Sequence, residues 1–178
     1  MQKQNKDIVN RMEQGINLLK NAEYEKAIKH FQEIIKLDSN NEPFARNNLG
    51  LVYFHKGDLE QALETIKPNI EKSAQPNPFG HALAAQIYLK LGNKTRAVSE
   101  LDLAVKDFEQ GVSSCRNTSN IPKYWKEYLI KIFETAGALE DHRLAYNVYR
   151  NWQNLSDNSE IKFMAGAAAF NLGRFRQN

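Results

Sequence analysis

The sequence predicts an all-α solenoid of antiparallel helix hairpins, and three observations predict it. The chain resembles itself every 35 residues, with Gly15, Gly50 and Ala85 in register, then Leu18, Tyr53 and Tyr88, then Ala27, Ala62 and Ala97, then Phe31, Ile66 and Leu101. In each unit a small residue comes first, a Leu or aromatic follows three later, and an Ala sits twelve after the small one. That spacing lets two helices pack closely. Apolar residues recur at helical period within the units, and Gly or Pro stands where helices should end.

The elements follow in order. Ile8 to Lys20 reads as a first helix, with Ile8, Met12, Ile16 and Leu19 on one stripe and Leu18 turned toward the next helix; Tyr24 to Leu37 is its partner. Pro43 to His55 and Leu59 to Lys72 form the second hairpin. Gly57 should end the former, and Asp58 should cap the latter by accepting from its free amides. Pro68 should bend that fourth helix or end it early, because it removes a backbone donor. Pro78 to Leu91 and Lys94 to Gln110 form the third hairpin. The strict period then breaks at a Ser-, Asn- and Thr-rich run that reads as a loop.

Beyond it, Pro122 to Thr135 and Glu140 to Trp152 make a degenerate hairpin. Ala145, Tyr149 and Trp152 repeat the spacing of Ala97, Leu101 and Ala104, but 48 residues later instead of 35. The domain reading is one solenoid over 1–178, with units 8–42, 43–77 and 78–112, a loop at 113–121, a degenerate unit at 122–157 and an incomplete unit at 158–178. In this last unit Ile161, Phe163, Met164, Phe170 and Leu172 leave a helix apolar on nearly every face. Such a helix needs cover, which makes the segment 160–172 a candidate homodimer contact or the cut edge of a longer repeat protein.

The stretch Leu49 to Ile66, LGLVYFHKGDLEQALETI, resembles a tetratricopeptide repeat: Gly50, Tyr53, Gly57, Asp58, Ala62 and Ile66 fill the slots of that family's pattern. The first unit matches through Gly15, Tyr24, Ala27 and Phe31, and the third through Ala85, Tyr88, Gly92, Ala97 and Leu101. No Trp opens any of the three units, and Ser39, Ala74 and Glu109 replace the usual closing Pro. The resemblance implies a right-handed superhelix and a non-catalytic scaffold that binds a peptide or helical segment of a partner in a concave groove lined by first helices. Carried over position by position, the binding candidates are Met12, Lys20, Asn47, Phe54, His55, Phe79, Gln86 and Lys90. Met12, with Ile16 and Leu51, fits equally a role in packing neighbouring helices. Chaperone-cofactor members of the family grip a terminal carboxylate from five places, which here hold Met12, Ile16, Asn48, Phe79 and Leu83. Only Asn48 matches, so that clamp is not expected.

Composition narrows the alternatives. A net charge of +3 with acids and bases alternating along the helices argues against a nucleic-acid partner. No apolar run nears the roughly 20 residues of a membrane span, and the N-terminus lacks a secretory signal, so a cytoplasmic location is expected. The single Cys115 makes no internal disulfide. His30, His55, His81 and His142 are scattered, with no second ligand at metal spacing, and no phosphate loop occurs. The expectation is therefore no enzyme, no metal and no cofactor. A secretion-type chaperone and a regulatory module of a larger enzyme or sensor are the rival readings.

Overall fold

A computed structural model describes residues 2–37, 42–71, 75–114, 123–152, 162–163 and 165–169, which are helical apart from their turns. They divide into two compact units, Met1–Ser73 and Ala74–Asn178.

The first unit holds α1 (Gln2–Lys20), α2 (Tyr24–Leu37), α3 (Glu42–Lys56) and α4 (Leu59–Glu71), each packed on the next. Ala27, Ile28, Phe31 and Ile34 of α2 meet Ala45, Leu49 and Val52 of α3 in its core, and Met12, Ile16, Leu18 and Leu19 of α1 close over them. Gly15 permits the close crossing of α1 and α2: a Cβ there would lie 2.5 Å from the tip of the fully buried Phe31 ring. Pro68 does not cut α4 short, which runs on to Glu71. Proline and Glu64, whose carbonyl loses its donor, both face solvent, so water can satisfy that carbonyl. The next residue, Asn69, is anchored by donating to Pro43 O at 2.7 Å and to Asn47 Oδ1 at 2.9 Å.

The second unit holds α5 (Pro78–Lys90), α6 (Lys94–Ser113), α7 (Lys123–Ala138) and α8 (His142–Trp152). Its core joins Ala82 and Ala85, Ala97 to Val112 along one stripe of α6, Trp125 to Leu139 along α7, and Ala145 and Val148 of α8. Ala168 also packs there, so the last described segment is partly covered by its own unit, although its Phe163 is 77% exposed. The second helix of the third hairpin passes the expected end at Gln110 and stops at Ser113. Tertiary burial overrides the local Ser-rich composition: Val112 is buried, and the flat side of Gly111 receives the six-membered ring of Trp125, where a Cβ would overlap it.

Each hairpin turns in the same way. Ala22 (φ 58°), Gly57 (φ 95°), Gly92 (φ 77°) and Glu140 (φ 58°) occupy the left-handed region. The amide after each donates to the carbonyl five residues back: Glu23 to Leu18 at 2.9 Å, Asp58 to Tyr53 at 2.9 Å, Asn93 to Tyr88 at 2.8 Å and Asp141 to Ala136 at 2.9 Å. This is the helix-ending motif that glycine serves best. The next helices start on side-chain caps where the sequence allows, with Asn93 Oδ1 accepting from Arg96 N at 3.1 Å and Asp141 Oδ1 from Leu144 N at 2.9 Å. Asp58 departs from the expected cap. Its carboxylate binds Lys56 Nζ at 2.9 Å, and Lys56 also reaches Glu25 at 3.1 Å, tying the end of α3 to the start of α2. Both carboxylates raise the Lys56 ammonium above its ordinary pKa, the Asp58 hydrogen bond most.

Two stability changes follow. Ala22→Gly removes the cost of a Cβ in the left-handed region, roughly 1–2 kcal/mol before the entropy of glycine is subtracted. Urea unfolding should therefore show it more stable than the parent by about 0.5–1 kcal/mol. Gly111→Ala should do the reverse, costing about 1–3 kcal/mol by forcing the Trp125 ring off α6. Near-ultraviolet circular dichroism should report the displaced indole.

Candidate functional site

First helices of hairpins carry the candidate residues, and the structure divides them into three kinds. Some pack inward. Met12 is part-buried against the core of the first unit, and Asn47 is only 6% exposed, its amide oxygen accepting from Asn69. The helical phase that would point Asn47 outward instead turns it toward α4. Two cations and one imidazole sit at the surface: Lys20, His55 and Lys90 are exposed near the last turns of α1, α3 and α5. Aromatic candidates form the third kind. Phe54 is half-buried, its ring edge-on to His55 at 5.6 Å, and Phe44, in the first turn of the same helix, is 46% exposed. Neither belongs to the core of the first unit.

In the second unit α5 lies beside α7, and the candidates there meet α7 side chains. The Phe79 ring is 5.8 Å from that of Tyr128. Gln86 Nε2 donates to Thr135 Oγ1 at 3.1 Å, while that hydroxyl donates to Lys131 O at 2.7 Å. Both pairs are 49 residues apart, so α7 is the next first helix in the stack. Tyr124 extends the row: it is 43% exposed, with its ring 5.5 Å from Tyr128 and 5.6 Å from Trp125. A strict 35-residue register passes over both tyrosines. Their only sequence signal is the aromatic content of that helix.

The places of the carboxylate clamp are equally informative. Leu83 is fully buried, and Asn48 spends its amide on Phe44 O at 2.9 Å within its own helix.

His81 forms a polar contact that its isolated position in the sequence does not reveal. Its Nδ1 lies 2.7 Å from Glu100 Oε2, and Asp107 Oδ2, 3.7 Å from Nε2, accepts from Asn77 N at 2.6 Å. With Asn77 Oδ1 accepting from Gly80 N at 3.0 Å, this contact fixes the start of α5 and so the position of Phe79. Nineteen residues separate His81 from Glu100, as they separate Arg11 from His30, whose Nε2 meets Arg11 O at 2.7 Å. The same two positions therefore meet in the first and third hairpins.

Among the described residues no cluster of His, Cys, Asp or Glu could hold a metal ion, and no helix is long and apolar enough to cross a membrane. The surface offers aromatic faces, amides and flanking charge. An array of paired helices with such a surface defines a helical-hairpin repeat module, the class used for contact between proteins. Residues 12–67 match the model of the tetratricopeptide repeat family. The chain is similar to the Protein STIP1 homolog of Dictyostelium discoideum, 33% identical over 107 residues, which are 58% of this chain and 19% of that protein. The chain thus spans well under two thirds of that relative.

Burial of the Tyr128 hydroxyl, with the neighbouring Tyr124 and Glu127, pushes its pKa up to about 12. The folded state therefore keeps a proton that the unfolded chain releases near pH 10. This contribution is complete below pH 10 and is lost between about pH 10 and 12. Unfolding at stepped alkaline pH should show the parent losing more stability over that interval than Tyr128→Phe. Equal slopes would refute the assignment.

Proposed function

We propose that this protein is a non-catalytic interaction module that binds a peptide or helical segment of a partner protein on the faces of its first helices. One observation carries the reading. Large aromatic side chains on α3 and α5 stand outside the hydrophobic cores of their units, Phe44 at 46% exposure and Phe54 and Phe79 half-buried. Folding alone gives little reason to leave such rings at the surface, whereas aromatic anchors supply much of the binding energy at interfaces. Lys20, His55 and Lys90 add polar margins to these faces. Gln86 and Asn47 act one step back: the first holds α5 to α7, the second holds α3 to α4, and each keeps its ring-bearing helix in place.

The helices pay their ordering cost on folding, so the partner segment bears only its own. The similarity to a STIP1 homolog and the match to the tetratricopeptide repeat family both support a protein ligand. The five-place match to a carboxylate clamp fails at four positions, which favours an internal or apolar segment over a free C-terminus.

Phe54→Ala combined with Phe79→Ala tests the reading. The double variant should lose capture of a partner identified by affinity purification, with helicity by circular dichroism unchanged. Undiminished capture by a folded double variant would remove the first-helix faces as the binding surface.

A further inference from the structure

We propose that the second unit holds its partner segment extended and by the main chain, the Tyr128 hydroxyl donating to a carbonyl of the segment and the Gln86 amide oxygen accepting from one of its amides. The proposal rests on the interaction reading above and decides between the two forms of segment that it allows.

Both groups are unspent in the folded chain. Tyr128 is half-buried, its ring 5.8 Å from Phe79 and 5.5 Å from both Tyr124 and Trp125. Burial is the main cause of its raised pKa, so the phenol keeps its proton well into alkaline solution and remains a donor. Among the described residues, however, its hydroxyl meets no acceptor. A hydroxyl drawn out of water normally finds a partner when a protein folds. Gln86 is left with the complementary group. Thr135 is completely buried and gives its own proton to Lys131 O at 2.7 Å, so Gln86 meets it with the amide nitrogen, 3.1 Å away. The Gln86 Oε1 then receives no donor among the described residues.

The two groups lie along one surface. Tyr124, Tyr128, Lys131 and Thr135 stand at i, i+4, i+7 and i+11 of α7 and form one stripe, which α5 meets at Phe79 and at Gln86. Tyr128 and Thr135 are two helical turns apart, about 10 Å, a span that an extended segment covers in about three residues. A helix cannot answer these groups, because its own ladder engages its carbonyls and amides. An extended segment presents both. Charge on this side of α7 calls for no ionic ligand: Lys131 is held by Glu134 at 2.8 Å, Glu127 is engaged, and Lys126 stands on the opposite side of the helix. A neutral carbonyl therefore suits the Tyr128 hydroxyl better than a carboxylate does.

Two measurements on the full chain test this. The first needs no ligand: Tyr128→Phe should leave the thermal midpoint at neutral pH unchanged or higher, because the hydroxyl bonds to nothing in the free protein. A lower midpoint would show that the hydroxyl already has a partner and would overturn the proposal. The second takes as its probe a short segment selected from a random display library on the full chain, chosen because Phe79→Ala removes its binding. Tyr128→Phe and Gln86→Met should each weaken that probe about tenfold, with circular dichroism unchanged. Replacing the amides of the probe by esters, one at a time, should find one linkage whose lost N–H costs about tenfold with the parent and nothing with Gln86→Met. That coupling separates contact with the segment from a merely structural effect. Esters without effect at every position, an acidic side chain of the probe whose removal abolishes the Tyr128 dependence, or a probe that turns helical on binding would each overturn the proposal. Enrichment of segments that need Phe54 but never Phe79 would overturn it and leave the wider interaction reading standing, whereas enrichment that needs neither ring would end both.

Discussion

A buried alanine on the second helix of each hairpin sets the distance on which the rest of this structure depends. Ala27, Ala62 and Ala97 are completely buried and Ala145 is 5% exposed, each at the equivalent place on α2, α4, α6 and α8. A methyl group there, together with a small residue such as Gly15, Gly50 or Ala85 on the first helix, lets two backbones approach closely, and at Gly15 the Phe31 ring takes the space that a Cβ would fill. Larger groups would separate the helices and open voids of the kind that cost several kcal/mol in protein cores (about 2–5 for a large aliphatic cavity). Phe31, Ile66 and Leu101, one helical turn further along, then fill the space the close approach creates.

Once the pairs are set, the turns between them are constrained. The chain must reverse within three residues, which places one residue in the left-handed region and brings the next amide back onto the helix it has left. Glycine meets this demand at two of the four turns, and Ala22 and Glu140 meet it under strain. The repeated bond is strong enough in context to be kept without the ideal residue, so local preference yields to packing.

The same logic explains where chemistry can sit. Second helices spend their apolar faces on the cores, while first helices have a further side available, and the half-buried rings occupy it. In the second unit this side is reinforced by the departure from the 35-residue rhythm. A longer α6 carries Phe108, Gly111 and Val112 beyond the usual end and meets Trp125 there. Trp125 in turn backs Tyr124 and Tyr128.

Periodicity and punctuation by themselves determined the helices, their pairing, the buried Ala positions and the sites of reversal, because each depends on residues near in sequence or at a fixed repeat distance. Helix ends at Leu37, Glu71 and Lys90 lie within a residue of those expected, since Gly and Pro act locally. Only tertiary structure decided the remainder. The inward turn of Asn47 depends on Asn69, 22 residues away on another helix, and the extension of α6 depends on a ring supplied by α7. The partnership of His81 with Glu100 and the row from Phe79 to Tyr124 likewise arise from residues that helix packing makes neighbours. Hydrophobic spacing encodes which side of a helix is buried; the particular side chain that waits on the other side of the contact is known only once the helices have met.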